Sequence, residues 1–157
     1  MGVPLLYVCR PMARKLQKLA KLSPMEWGIL LQLILLSLAA ALALRLVAVP
    51  CLIRFIVQCA LKPGLRRFPL HHDRCEAGRL TFLVELATRV THGNGRCLAR
   101  SLALFWLLKA RGEMPELLIG VCKEASALNS HAWIETRGIV LHDSREITGR
   151  FVTLLRF

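Results

Sequence analysis

Acidic residues are scarce in this 157-residue chain: ten Asp and Glu stand against 22 Lys and Arg, giving a formal net charge of +12. Aromatic residues are also few, at 6%. They are not interleaved with the basic positions in any recognised nucleic-acid motif, so a base-stacking platform is excluded and no nucleic acid is expected as a partner. The six cysteines, at 9, 51, 59, 75, 97 and 122, never fall at the C-x2–4-C spacing of a zinc ribbon. With no paired cysteines and no cleavable signal pattern, a reducing cytoplasm is the expected compartment. The chain also lacks internal repeats and low-complexity tracts, which excludes a solenoid and leaves one ordinary domain.

The basic surplus is uneven. Residues 1–75 hold 11 Lys and Arg against Glu26 and Asp73, whereas residues 76–157 hold 11 against eight acids. Within the first half, Trp27 to Leu44 runs eighteen residues with only Gln32 and Ser37 as polar side chains. That approaches the ~20 apolar residues of a bilayer span. Basic residues flank both ends (Arg14, Lys15, Lys18 and Lys21 before; Arg45, Arg54, Lys62, Arg66 and Arg67 after), so they give no orientation signal. Three readings stay open for this region: helices packed in the protein or against a partner, peripheral contact with an anionic membrane, and a true span. The spacing predicts helices over 11–22, 24–48 and 51–62, with Ser23 as an N-cap and Pro24 at the first helical position. A linker over 63–75 follows. It contains His71-His72-Asp73-Arg74-Cys75, three ligand types in a row, but no second ligand pair completes a zinc site and no metal is expected.

A helix from about 76 to 90 carries Leu80, Leu83, Val84 and Leu86 on one face. The next helix starts at Cys97 and stops at Gly112, with Leu98, Leu102, Phe105 and Leu108 at spacings of four and three. Asn94-Gly95 supplies the preceding turn. Cys97 therefore falls in the first turn, where free N–H groups and the positive end of the helix dipole favour a thiolate.

Beyond it, Leu117–Cys122 reads as a strand after Pro115, Lys123–Ser130 as a loop, and Ala132–Glu135 with Ile139–His142 as a hairpin; Phe151–Leu155 reads as a last strand. Thr136-Arg137-Gly138 has glycine third, the pattern of a three-residue loop closed by a left-handed residue. That register pairs Glu135 with Ile139 and, counted outward, puts His131 directly opposite Asp143 on one sheet face. A two-residue loop would instead pair Ala132 with Asp143. A thiol at a helix start, with a histidine and an acid facing each other nearby, has the composition of a nucleophile, its base and the group that orients the base. The other five cysteines, and His142 on the opposite face, read as packing or surface residues; Arg100, Ser101 and Glu135 are candidates to line or support the cleft.

The run Cys-Leu-Ala-Arg-Ser-Leu-Ala-Leu at 97–104, Leu-Leu at 107–108, Arg-Gly at 111–112, Ile-Gly-Val at 119–121, His-Ala-Trp-Ile-Glu at 131–135 and Asp143 resembles the transglutaminase-like cysteine peptidases of lasso-peptide biosynthesis, the lasso B family. The resemblance covers about the C-terminal half. It implies an α+β, papain/transglutaminase-like core over residues 76–157, preceded by an N-terminal helical region and linker over residues 1–75. It further implies a peptidase that removes the leader from a precursor peptide, with Cys97 as nucleophile, His131 as base and acid, and Asp143 as orienter. The N-terminal half is similar to the family's form with a separate leader-recognition protein, and a lasso cyclase would take the freed amine; no cofactor is implied. Oxyanion donors would be the Cys97 backbone N–H and one upstream side chain among Thr91, His92 and Asn94, with Asn94 favoured. Two other functions compete: a transglutaminase-like acyl transfer to an amine on the same acyl-enzyme, and a small membrane-associated binding protein without catalysis.

Overall fold

The computed structural model describes residues 22–69, 71, 74–92, 96–124, 127–141 and 143–157. Helix α1 (Pro24–Leu46) starts where the sequence signals it: the Ser23 hydroxyl accepts from the Glu26 backbone N–H, the Glu26 carboxylate accepts from the Ser23 N–H, and Pro24 follows the cap. Glu26 also forms an ion pair with Arg79, which holds its carboxyl below the usual range. Helix α2 (Val49–Leu61) tolerates Pro50 because a first-turn residue needs no intrahelical N–H bond. A short α3 (Pro63–Arg66) stands where a loop was expected. Helices α4 (Ala77–His92) and α5 (Arg96–Ala110) follow, then β1 (Pro115–Glu124), β2 (Ala127–Thr136), β3 (Ile139–Leu141), a single-turn α6 (Arg145–Thr148) and β4 (Val152–Arg156). Of the helix expected over 11–22, residues 11–21 lie outside the described residues, and Leu22 is buried and not helical.

The four strands form one antiparallel sheet in the order β3-β2-β1-β4. The α+β class follows directly. One core runs through the helices and onto the sheet: Ile29, Leu30 and Leu33 of α1, Ile53 of α2, Leu83 and Val84 of α4, Leu102, Phe105 and Leu107 of α5, with Leu117 and Ile134 from the strands. Side chains from both sides of position 75 share it, Cys75 among them.

Two sequence expectations fail here. Lys123, Glu124 and Ala127–Ser130 are strand where a loop is expected: β1 and β2 pair along their whole lengths, from Pro115 with Thr136 to Glu124 with Ala127. Ala127, Leu128, Asn129 and Ser130 are all exposed, so this part of the ladder leaves no apolar alternation to read. The β2–β3 turn is also tighter than expected. Thr136 pairs with Ile139 and Glu135 with Val140, leaving Arg137 and Gly138 as a two-residue loop with φ of 52° and 74°. Positive φ at both positions is the primed turn that matches strand twist, and here a non-glycine residue takes the first place. Arg145 Nη2 donates to the Gly138 carbonyl at 2.7 Å, bracing the loop from α6.

Candidate active site

The tight turn removes the register argument for a His131–Asp143 pair, since continued pairing would set Ala132 opposite Asp143. The two side chains nonetheless meet. Strand β3 ends at Leu141, and Asp143 sits past it in the bend before α6, free of strand alternation. Its Oδ2 lies 3.3 Å from His131 Nε2.

Helix α5 brings three polar side chains to the same place. Cys97 in its first turn hydrogen-bonds His131, and its sulfur is also within reach of the backbone N–H groups of Ala132 and Leu98. One turn on, Arg100 Nη2 donates to the same Asp143 Oδ2 at 2.7 Å. Its Nη1 reaches Glu85 of α4 at 3.4 Å, and Glu85 also accepts from Arg89 at 2.6 Å. Ser101, almost fully buried, donates to the Ala132 carbonyl at 2.9 Å. Positions 97, 100 and 101 fall on one helix face by the three-and-four rule, so one rigid element carries the sulfur, the guanidinium against the acid, and a tether to the strand that bears the histidine.

The electrostatics follow from these contacts. The His131 hydrogen bond pulls the Cys97 thiol below its ordinary value, aided by the Ala132 N–H and opposed by burial. The Asp143 carboxylate, then the Cys97 sulfur, push His131 up to about 9 against desolvation. Burial pushes Asp143 up, but His131 and Arg100 outweigh it and leave the carboxyl below the usual range. All three shifts favour a thiolate–imidazolium pair beside a carboxylate at neutral pH. Among the described residues, His131 Nε2 has no well-angled hydrogen bond; it stands in ion-pair range of an oxygen whose closer donor is Arg100.

The imidazole is walled by rings: Phe151 at 5.2 Å between centroids and Trp133 at 6.1 Å, the latter stacked. Trp133 Nε1 in turn donates to Glu135 at 3.0 Å, so Glu135 supports the histidine through the indole. Gly120 makes this wall fit. A Cβ there would stand 2.9 Å from the Val152 carbonyl oxygen and 3.0 Å from both Phe151 Cβ and the Trp133 ring, at the point where the β1–β4 register shifts.

Asn94 and His142 lie outside the described residues. Thr91 bonds back to the Ala87 carbonyl inside α4. Cys59 and Cys75 are buried, and burial raises the Cys75 thiol; Cys51 is exposed and Cys122 half-buried. Cys75 therefore belongs to the core, and among the described residues no three His, Cys, Asp or Glu side chains gather as a metal site. A cavity of about 680 Å³ opens at the other end of α5, bounded by Leu107, Leu108, Met114, Arg137 and Ile139, and includes none of Cys97, His131 or Asp143. The ties through Arg100 and Ser101 were visible in sequence only as polar interruptions of an apolar helix, one turn after the cysteine.

A family profile described as transglutaminase-like superfamily matches residues 40–156, well over half the chain. No curated protein and no solved structure matches.

Proposed function

Because the chain belongs to the transglutaminase-like superfamily, we propose that it is a cysteine peptidase that removes the leader from a lasso-peptide precursor, using Cys97, His131 and Asp143. The observation that carries this reading is the convergence of Cys97, His131 and Asp143 at the start of α5, with Asp143 Oδ2 3.3 Å from His131 Nε2, and the lowered thiol, raised imidazole and lowered carboxyl agree with it. The C-terminal motif run supports the substrate class.

In this mechanism the Cys97 thiolate attacks the scissile carbonyl carbon, and the carbonyl electron pair moves to oxygen. The Cys97 backbone N–H lies in the first turn of α5, where the helix offers it no acceptor, and it donates to that oxyanion. The His131 imidazolium gives its proton to the departing amine as the C–N bond breaks, leaving a thioester and a neutral imidazole. His131 then takes a proton from water as the water attacks the thioester, and the leader leaves as a carboxylic acid. Asp143, held by Arg100, stabilises the imidazolium and fixes the ring. A separate leader-recognition protein presents the precursor, and a cyclase consumes the freed amine.

The test is mass spectrometry of a candidate precursor incubated with this protein and the leader-binding partner. Cleavage at one fixed bond supports the reading. An amine adduct at that carbonyl in place of the acid would assign acyl transfer, and an intact precursor with the partner present would sink the peptidase assignment.

A further inference from the structure

Helix α1 has two faces with different surroundings. Ile29, Leu30, Leu33 and Ser37 are buried, and the helix packs on α4 and α5. The opposite face carries Trp27, Leu31, Leu35, Leu38, Leu42 and Leu46, each between 50% and 75% exposed. Their spacings of four and three keep them on one stripe about 28 Å long at ~1.5 Å per residue. Arg45 ends the stripe on the same side, and from Trp27 to Arg45 it holds no charge. Apolar exposure continues into Val47 and into Phe55 of α2.

We propose that this face of α1 lies in the plane of an anionic lipid bilayer, seated among headgroups and upper acyl chains. The inference is independent of the chemistry at Cys97. Three observations select this occupant. First, the charge matches: residues 27–72 carry five Lys and Arg and no acid, and Arg45, Arg54, Lys62 and Arg67 are exposed. The nearest acid, Glu26, is already paired with Arg79. A second copy would bring like charges together across the stripe.

Second, a protein interface offers about one hydrogen bond per 100–200 Å². The stripe has only the Trp27 indole N–H to give before Arg45. Lipid tails ask for none, and an indole at one end with a guanidinium at the other are headgroup-level anchors. Third, α1 is long and apolar enough to cross a membrane, yet crossing would strip Ile29, Leu30 and Leu33 from the core they share with Leu83 and Phe105. Lying flat buries the free face and keeps the packed one.

The experiment mixes the full chain with vesicles of phosphatidylcholine alone and of phosphatidylcholine with phosphatidylglycerol. Trp106 and Trp133 are buried, so Trp27 is the indole that lipid can reach. Co-sedimentation with the anionic vesicles, a blue shift of tryptophan emission and quenching by brominated acyl chains are expected. Trp27→Phe should remove the shift and leave binding. Leu35→Gln with Leu38→Gln should weaken binding at least about tenfold, and Arg45→Gln or Arg54→Gln about fivefold each. Unchanged circular dichroism and an unchanged Cys97 alkylation rate show that these variants fold.

Failure to bind anionic vesicles overturns the proposal, as does equal binding to phosphatidylcholine alone. Resistance to alkaline carbonate overturns the in-plane geometry in favour of a span. A dimer in vesicle-free solution that Leu35→Gln with Leu38→Gln dissolves reassigns the face to a second copy.

Discussion

Helices α1 and α5 are both long and leucine-rich, yet they occupy opposite environments. Helix α5 is closed in along most of its length, with Ala99 and the run Ser101 to Leu107 buried between α4, α1, α2 and the sheet. Helix α1 is closed on one side only. The polar side chains Cys97, Arg100 and Ser101 near the start of α5 all have specific partners, whereas the outward stripe of α1 offers only the Trp27 indole before Arg45. Apolar composition alone does not say whether a helix is core or surface; the polar residues that interrupt it carry that information. In α5 they fall on one face and build a site.

The sharpest way to break the contrast is at Cys97. Cys97→Ala should abolish precursor cleavage in the mass-spectrometric assay and leave the thermal midpoint within a degree or two of the parent, because a single sulfur atom is removed. Undiminished cleavage would show that α5 is merely a core helix.

Asp143→Asn should lower cleavage roughly 10²-fold, by removing the charge that favours the imidazolium. The pH dependence follows from the same shifts. Leaving-group protonation needs His131 charged, so hydrolysis should fall as pH rises through about 9. Alkylation of Cys97 by iodoacetamide needs only the thiolate. It should already be fast at neutral pH, because the thiol is lowered, and should not decline on the alkaline side. Parallel alkaline decline of both rates would contradict the ion pair.

Next in size is a matched pair of truncations. Leu107→Ala, from the sealed helix, should cost about 2–5 kcal/mol in denaturant unfolding. Leu35→Ala, from the open stripe, should stay within about 0.5 kcal/mol in vesicle-free buffer. Equal losses would mean that the α1 stripe is covered within the chain. A smaller loss than at Leu107 is expected for Ser101→Ala, which removes the hydroxyl that donates to the Ala132 carbonyl. A loss of about 1–3 kcal/mol is expected, with slower Cys97 alkylation.

Much of this architecture is legible in the residues. The Ser23-Pro24 start of α1, the amphipathic α4, and the placing of Cys97 at the beginning of α5 all follow from caps and periodicity. The hairpin is the instructive failure. Gly138 invites a left-handed third position, but Arg137 also adopts positive φ, held by strand twist and by Arg145 reaching the Gly138 carbonyl. A contact from the next element is invisible to a local turn rule. The His131–Asp143 approach survives because Asp143 lies beyond the strand, so the right neighbours came from the wrong register. Arg100 lay in plain view, but its aim at Asp143 depends on where α5 crosses the sheet, and no spacing encodes that.

Arg100 and Cys97 ride on the same helix and grip, respectively, the acid and the histidine. A slide of α5 by an ångström along its axis would loosen both grips together. The sulfur and the guanidinium therefore share one carrier, and whatever shifts α5 shifts both contacts.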